Sequence, residues 1–311
     1  MEIRGANTII AGVNKAGTTS LFVSLQAHPQ VATSAVKETR HFLPARYGRP
    51  IDAPSAYASY FADAGDRPVR LEATPGYFYG GESLVAEIVE QLGPDTRVIV
   101  VLREPVSRLV SFFTFQKTRL RIPESTTLVE YLAAADRLSD ADFADPANDA
   151  YFGFRGGCYA DYLPAWLAAF GPHLKILFFE DLVTDTDAVL RDVAVWLGID
   201  PSAFPEPDLS SENRTTGFKS RRLQRLALAF NDRLERFLRR HPAMKRRLRA
   251  AYYRLNGRAA RESVSSVTEA ELAARYREPN ARLAEQLRDA GVIDIPDWLG
   301  QFSRTSPTST A

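Results

Sequence analysis

The sequence predicts an α/β fold: a P-loop-like, three-layer α/β/α arrangement with a central parallel sheet and a helical C-terminal cap. Three observations carry that prediction. Short apolar runs alternate with amphipathic helical patterns, the order that parallel strands joined by right-handed helical crossovers require. Arg97-Val98-Ile99-Val100-Val101-Leu102 is apolar on both faces, as a strand covered by helices on two sides must be. Gly12-Val13-Asn14-Lys15-Ala16-Gly17-Thr18-Thr19-Ser20 lies between a strand-like run and a helix. Ligands of such folds bind there, beyond the carboxyl ends of the strands.

Taken in order, Thr8 to Gly12 reads as a first strand ending in glycine. A helical segment follows with Leu21, Leu25 and His28 on one face, stopped at Pro29. Val69 to Ala73, Arg97 to Leu102 and Leu174 to Phe179 read as further strands. Helical patterns cover roughly 83–92, 106–119, 159–170 and 188–197. From about 218 to 258 the chain becomes Arg-rich and amphipathic, with Leu223, Leu226, Phe230, Leu234 and Phe237 marking an apolar face. A last helix at about 268–289 and an aromatic anchor at Trp298 close the domain, and the Ser/Thr/Pro-rich residues 303–311 read as a disordered tail. The organisation expected is one domain over 1–302, with 218–258 as its basic helical cap.

Composition narrows the function. Lys and Arg number 39 against 38 Asp and Glu, so the net charge is +1 and no global field favours nucleic acid. Any anion site must be built locally. Cys158 is the only cysteine, which rules out an intramolecular disulfide and argues against a structural zinc site. Cys158, Trp166, Trp196 and Trp298 read as core. The first residues show neither an apolar h-region nor a cleavage pattern, no apolar stretch approaches a membrane span, and the expectation is a cytoplasmic protein without a secretory leader or transmembrane segment.

The Gly12 to Ser20 segment suits a phosphate. Its small residues let the backbone bend tightly, and the first free N–H groups of the following helix converge on one spot. The spacing is that of a nucleoside-triphosphatase loop, but Thr18 stands where such a loop has its lysine, and Lys15 sits inside the loop instead. The strand 97–102 runs into Arg103, where those enzymes carry a magnesium-binding aspartate. Phosphate-binding backbone and cations without metal ligands argue against hydrolysis of ATP or GTP.

Four blocks, in order, resemble the PAPS-dependent sulfotransferase family, in its heparan-sulfate-like and bacterial branch. They are Lys15-Ala16-Gly17-Thr18-Thr19, Lys37-Glu38-Thr39-Arg40-His41-Phe42, Glu72-Ala73-Thr74-Pro75-Gly76-Tyr77-Phe78, and Leu102-Arg103-Glu104-Pro105 continuing through Arg108 to Ser111. A looser similarity runs through Gly157-Cys158-Tyr159, Asn213 to Phe218, and Glu278 to Leu283.

The resemblance implies transfer of a sulfuryl group from 3'-phosphoadenosine 5'-phosphosulfate (PAPS) to an acceptor hydroxyl, with no metal. Lys15, Ala16, Gly17, Thr18, Thr19 and Ser20 would hold the 5'-phosphosulfate, with Lys15 neutralising the charge that builds on the leaving oxygen. Arg103 and Ser111 would grip the 3'-phosphate. Glu38 takes the position of the catalytic base, with His41 as chemical rival; Glu72 and His41 would face the acceptor.

Two departures qualify the match. The heparan enzymes carry lysine where this chain has Ala73, which counts against a heavily sulfated polysaccharide. The adenine-side loop lacks its usual basic segment, and either Lys219, Arg221 or Arg222 supplies the charge or all three are solvated. The acceptor class stays open among a small molecule, a glycan or glycolipid, and a carrier-bound alcohol. A kinase with a degenerate loop and a non-catalytic nucleotide-binding protein are the competing readings. The 218–258 region is either a lid with a wet charged face or a docking surface for a carrier or membrane.

Overall fold

A computed structural model describes residues 5–205, 216–218, 220, 222–227, 244, 248, 252, 256–259, 264–300 and 302. The chain divides into two compact units, one built from 1–108, 154–206 and 266–311, the other from 109–153 and 207–265.

The first unit is built on a five-stranded sheet of β1 (Thr8–Gly12), β2 (Val31–Thr33), β3 (Val69–Ala73), β4 (Arg97–Leu102) and β5 (Leu174–Phe178). The order is β2-β3-β1-β4-β5 and every pairing is parallel. Ile9, Ile10, Ala11 and Val98 to Leu102 are wholly buried, which explains why β1 and β4 read as unbroken apolar runs. β1 is central. The chain leaves it toward β2 and β3 on one side and takes up β4 and β5 on the other, so a crevice opens at the carboxyl ends of β1 and β4.

Helices of this unit are α1 (Thr18–Gln26), α2 (Pro54–Ala58), α3 (Gly81–Leu92), the start of α4 (Pro105–Thr118), α6 (Leu163–Phe170), α7 (Phe179–Thr184), α8 (Thr186–Leu197), α9 (Ser266–Asp289) and α10 (Asp297–Gly300). Between α4 and α6, α5 (Leu128–Ala135) belongs to the second unit. Helix starts follow capping chemistry. Glu104 receives Val106 N at 2.8 Å and Ser107 N at 2.6 Å to open α4, and Asp185 receives Ala188 N at 2.9 Å to open α8. The helix expected over 159–170 is instead a 3-10 turn at Tyr159–Asp161 followed by α6, because Pro164 can enter a helix only in its first turn. Trp166 lies fully buried and donates from Nε1 to Phe78 O at 3.0 Å, so the core reading of this tryptophan holds.

The second unit takes the rest of α4, α5, and a two-stranded antiparallel pair of β6 (Thr216–Phe218) and β7 (Gly257–Ala259). A capping box of Thr127 and Glu130 opens α5. Tyr131 on α5 stacks on Tyr151, donates to Ala150 O at 2.9 Å and accepts from Gly153 N at 3.0 Å. Of the apolar face expected in 218–258, Leu223 and Leu226 are exposed, and Phe230, Leu234 and Phe237 lie outside the described residues. The tail 303–311 also lies outside them.

Candidate active site

The loop after β1 is shaped by two glycines that nothing larger can replace in place. A Cβ on Gly12 would sit 2.6 Å from Phe78 Cβ, and one on Gly17 would sit 2.9 Å from the Phe179 ring. Gly17 also has φ 78°, a left-handed conformation, and from there it opens α1 without any side-chain cap. No acidic residue occupies the first turn of α1, so its N–H groups and the positive end of its dipole meet an anion unopposed. Ala16 and Thr18 are buried, Ser20 is half-buried and Thr19 is exposed at the helix start.

Lys15 is the loop's cation, held at φ 72°. Burial and then the neighbouring Arg103 charge push its ammonium down to about 8, and Glu38 pulls the other way. Arg103, at the exit of β4, donates from Nη1 to Lys15 O at 2.9 Å and lies 4.3 Å from the centre of the Phe179 ring. Tyr159 donates to Arg103 O at 2.8 Å, fixing the arginine from its main chain as well.

Glu38 stands on a turn that hangs from the end of β3. Its N–H donates to Ala73 O at 3.0 Å, and both Glu38 (φ 63°) and Arg40 (φ 60°) adopt left-handed conformations. The carboxylate is clamped, with Lys37 Nζ at 3.0 Å from Oε1 and Arg40 Nη2 at 3.5 Å from Oε2. Burial pushes this carboxyl up, but Lys37 and then Arg40 outweigh it and hold the group below the ordinary glutamate range. Lys15, Arg103 and Glu38 thus come together from three separate segments, close enough for each charge to be felt at Lys15.

Two expected acceptor contacts are placed elsewhere. Glu72 is 0% exposed, with Thr39, Thr74, Tyr77 and Tyr57 hydroxyls around its carboxylate, and presents nothing to an acceptor. His41 is 7% exposed, bonded to Gln91 Oε1 at 3.0 Å and stacked on Tyr57, so this imidazole is a core residue rather than a rival base. The reason is topological: the turn that presents Glu38 sends His41 and Phe42 back into the aromatic core. Ser111 is half-buried on α4, in the second unit. Lys219 and Arg221 lie outside the described residues, and Arg222 is exposed. Arg108 is buried, in keeping with a structural role, and Cys158 is buried with its thiol pushed up to about 12 by burial and then Asp161.

Sequence reasoning passed over Phe179, which packs between Gly17 and Arg103. Its signal was hidden because Phe178-Phe179 reads as the end of an apolar strand, whereas α7 starts at Phe179. It also passed over Tyr57, on a short helix without marked periodicity.

A loop with an internal lysine, an arginine at the exit of the neighbouring strand and a carboxylate turn from β3 thus meet in one place. The sulfotransferase domain family matches residues 6–240. The chain belongs to the sulfotransferase family. Among the sulfotransferases it is similar to, the human heparan sulfate glucosamine 3-O-sulfotransferase 6 is 31% identical over 63% of this chain and 53% of its own. Human heparan sulfate glucosamine 3-O-sulfotransferase 3B1 is 31% identical over 61% of this chain and 45% of its own. The chain spans about half the length of the curated relatives it matches. A sulfotransferase from Alicyclobacillus acidocaldarius shares the fold, with a TM-score of 0.58 and 23% identity over 75% of this chain and 94% of that one. Among the described residues, no helix is long and apolar enough to cross a membrane.

Proposed function

We propose that the protein transfers a sulfuryl group from PAPS to an acceptor hydroxyl, with Lys15 and Glu38 as its catalytic residues. The observation that carries this reading is the meeting of Lys15, Arg103 and Glu38, two cations and an ionised carboxylate, beside an uncapped helix start. The residues present suit the donor. Loop N–H groups and the Thr18 and Thr19 hydroxyls offer donors to the 5'-phosphosulfate, with Ala16, Gly17 and Ser20 shaping the cradle. An arginine fork holds five N–H donors, so the bond to Lys15 O does not exhaust Arg103 for a second phosphate. Ser111, Lys219 and Arg221 are proposed as further donor contacts on the 3'-phosphate and adenine side.

In the step itself the acceptor oxygen attacks sulfur, its proton passes to the Glu38 carboxylate, and the sulfur–oxygen bond to the 5'-phosphate breaks with its electron pair on the phosphate. Glu38 is suited to receive that proton because Lys37 and Arg40 keep it ionised. Burial and Arg103 lower the Lys15 ammonium only to about 8, so it keeps its charge at neutral pH and can meet the charge growing on the leaving oxygen. The names of the relatives make a carbohydrate hydroxyl the first acceptor class to try. Ala73, wholly buried where the heparan enzymes have lysine, counts against a polysaccharide that depends on that cation.

Calorimetric titration with 3',5'-adenosine bisphosphate (PAP), with ATP as control and no magnesium, tests the donor site. Micromolar PAP binding with much weaker ATP binding is expected; absence of PAP binding would overturn the proposal.

A further inference from the structure

Glu72 is buried on β3, and a carboxylate out of water is costly unless its oxygens are met by donors. Here the donors are hydroxyls. Tyr57 reaches Oε2 at 2.6 Å, while Thr39, Thr74 and Tyr77 all reach Oε1, at 2.5, 2.7 and 3.0 Å. Each of the three on Oε1 also faces a main-chain N–H of the turn that follows Glu38. Arg40 N donates to Thr74 Oγ1, His41 N to Thr39 Oγ1 and Phe42 N to the Tyr77 hydroxyl, each at 3.3 Å.

A hydroxyl has one proton and two lone pairs. The Thr39 and Tyr77 hydroxyls also lie 3.3 Å from each other, but their contacts to the charged Oε1 are shorter, so all three protons are drawn to that oxygen and lone pairs are left for three consecutive N–H groups. An amide could not substitute cleanly, since its N–H₂ would compete as a donor. The turn so held contains two non-glycine residues at positive φ, which persist only where surroundings over-determine them.

We propose that Glu72 is the positioning residue of this site: through Thr39, Thr74 and Tyr77 it fixes the 38–42 turn and so sets the Glu38 carboxylate between Lys37 and Arg40. The proposal rests on the reading of Glu38 as the base. Glu72 touches neither donor nor acceptor; it acts through the turn.

The test uses the full chain and needs no known acceptor. Thr39→Val removes one hydroxyl without changing any charge, and Thr39→Ser keeps it. The Glu38 titration is followed by carbon NMR of carboxyl-labelled glutamate, assigned by loss of the signal in Glu38→Gln, with PAP calorimetry as the check on folding. Thr39→Val should raise the Glu38 midpoint toward the ordinary glutamate range, because the Lys37 and Arg40 clamp loosens, and Thr39→Ser should restore it. Glu72→Gln, which also alters local charge, is read by amide exchange, with exchange at Arg40, His41 and Phe42 about tenfold faster or more. If Thr39→Val no longer binds PAP, Thr74→Val takes its place. An unchanged Glu38 midpoint in a PAP-binding variant, or unchanged exchange in Glu72→Gln, would overturn the proposal. Failure of the parent reading looks different and is read with an acceptor present, a glucosamine-containing oligosaccharide: Glu38→Gln would keep forming PAP from PAPS, while Thr39→Val in the otherwise unaltered chain would still shift the Glu38 midpoint.

Discussion

Arg103 donates from Nη1 to the main-chain oxygen of Lys15 at 2.9 Å, and that bond ties the loop after β1 to the exit of β4. The two cations are held as neighbours, and the Arg103 charge adds to burial in lowering the Lys15 ammonium. Like charges set side by side are unfavourable until an anion arrives, and the proposed donor, a polyanion, would relieve that repulsion.

Arg103→Ala should weaken PAP binding before it affects anything else. Loss of a charge-assisted contact is worth about 1.5–3 kcal/mol, or roughly 10- to 10²-fold in Kd. Arg103→Lys should not restore it, because a single ammonium cannot hold the Lys15 carbonyl and a phosphate as a planar fork does. Calorimetry on the three proteins checks both statements.

Lys15→Ala should lower kcat by about 10²–10³-fold, the loss expected when a group that meets developing negative charge is removed. In the unaltered protein, kcat/KM for PAPS should fall as pH rises through about 8, where the ammonium of the free protein gives up its charge, while kcat should hold to higher pH because the bound polyanion raises that midpoint. The kcat/KM for PAP formation from PAPS, measured from pH 6 to 10 (roughly the span over which the limb develops) with an unsulfated glucosamine-containing oligosaccharide as probe acceptor, reads this limb. Its absence would remove Lys15 from the chemistry.

Glu38→Gln should cost about 10²–10⁴-fold in turnover while PAP affinity stays nearly intact. Burial raises the Glu38 carboxyl and Lys37, then Arg40, lowers it further than burial lifts it, so the acid limb of the activity should lie below the ordinary glutamate range. Activity of this kind is present above the Glu38 midpoint and lost as pH falls through it. Lys37→Met should therefore move the acid limb to higher pH, and a limb that stays put would argue that another group sets it.

Gly17→Ala should both destabilise the fold and impair the donor site. The left-handed φ of 78° costs a residue with a Cβ about 1–2 kcal/mol, and the new methyl would press on the Phe179 ring at 2.9 Å. Phe179 in turn lies against the Arg103 guanidinium. A lowered Tm with a weakened PAP affinity is the expected pair of results. Unchanged PAP affinity would show that Phe179 does not transmit the strain to Arg103.

Much of this was legible in the chain because it is local. Strands β1, β3 and β4 sit where their apolar runs lie, and β5 stops one residue short of its run. β2 escaped because Val31–Thr33 is too short for any alternation to show. α5 escaped for a different reason: its eight residues are apolar nearly all round, so no helical stripe shows, and the Thr127–Glu130 capping box was its one local signal.

The sequence by itself determined the parallel α/β architecture, the Gly12 to Ser20 loop with its internal lysine, the arginine at the exit of β4 and the block carrying Glu38. These follow from side-chain periodicity and from residue types a few positions apart. Only the tertiary structure decided that Lys15 is held by Arg103, that His41 turns into the core, and that Glu72 faces four hydroxyls instead of an acceptor. Periodicity tells which face of a strand a residue occupies; it carries no record of which distant segment meets that face. Glu72 lies on β3, yet its environment is made by Thr39 and Tyr57, brought there by chain closure over 33 and 15 residues. That closure, paid for by burial of the aromatic core around it, surrounds with hydroxyls a carboxylate that in sequence reads as an acceptor contact, 34 residues after Glu38 in the chain.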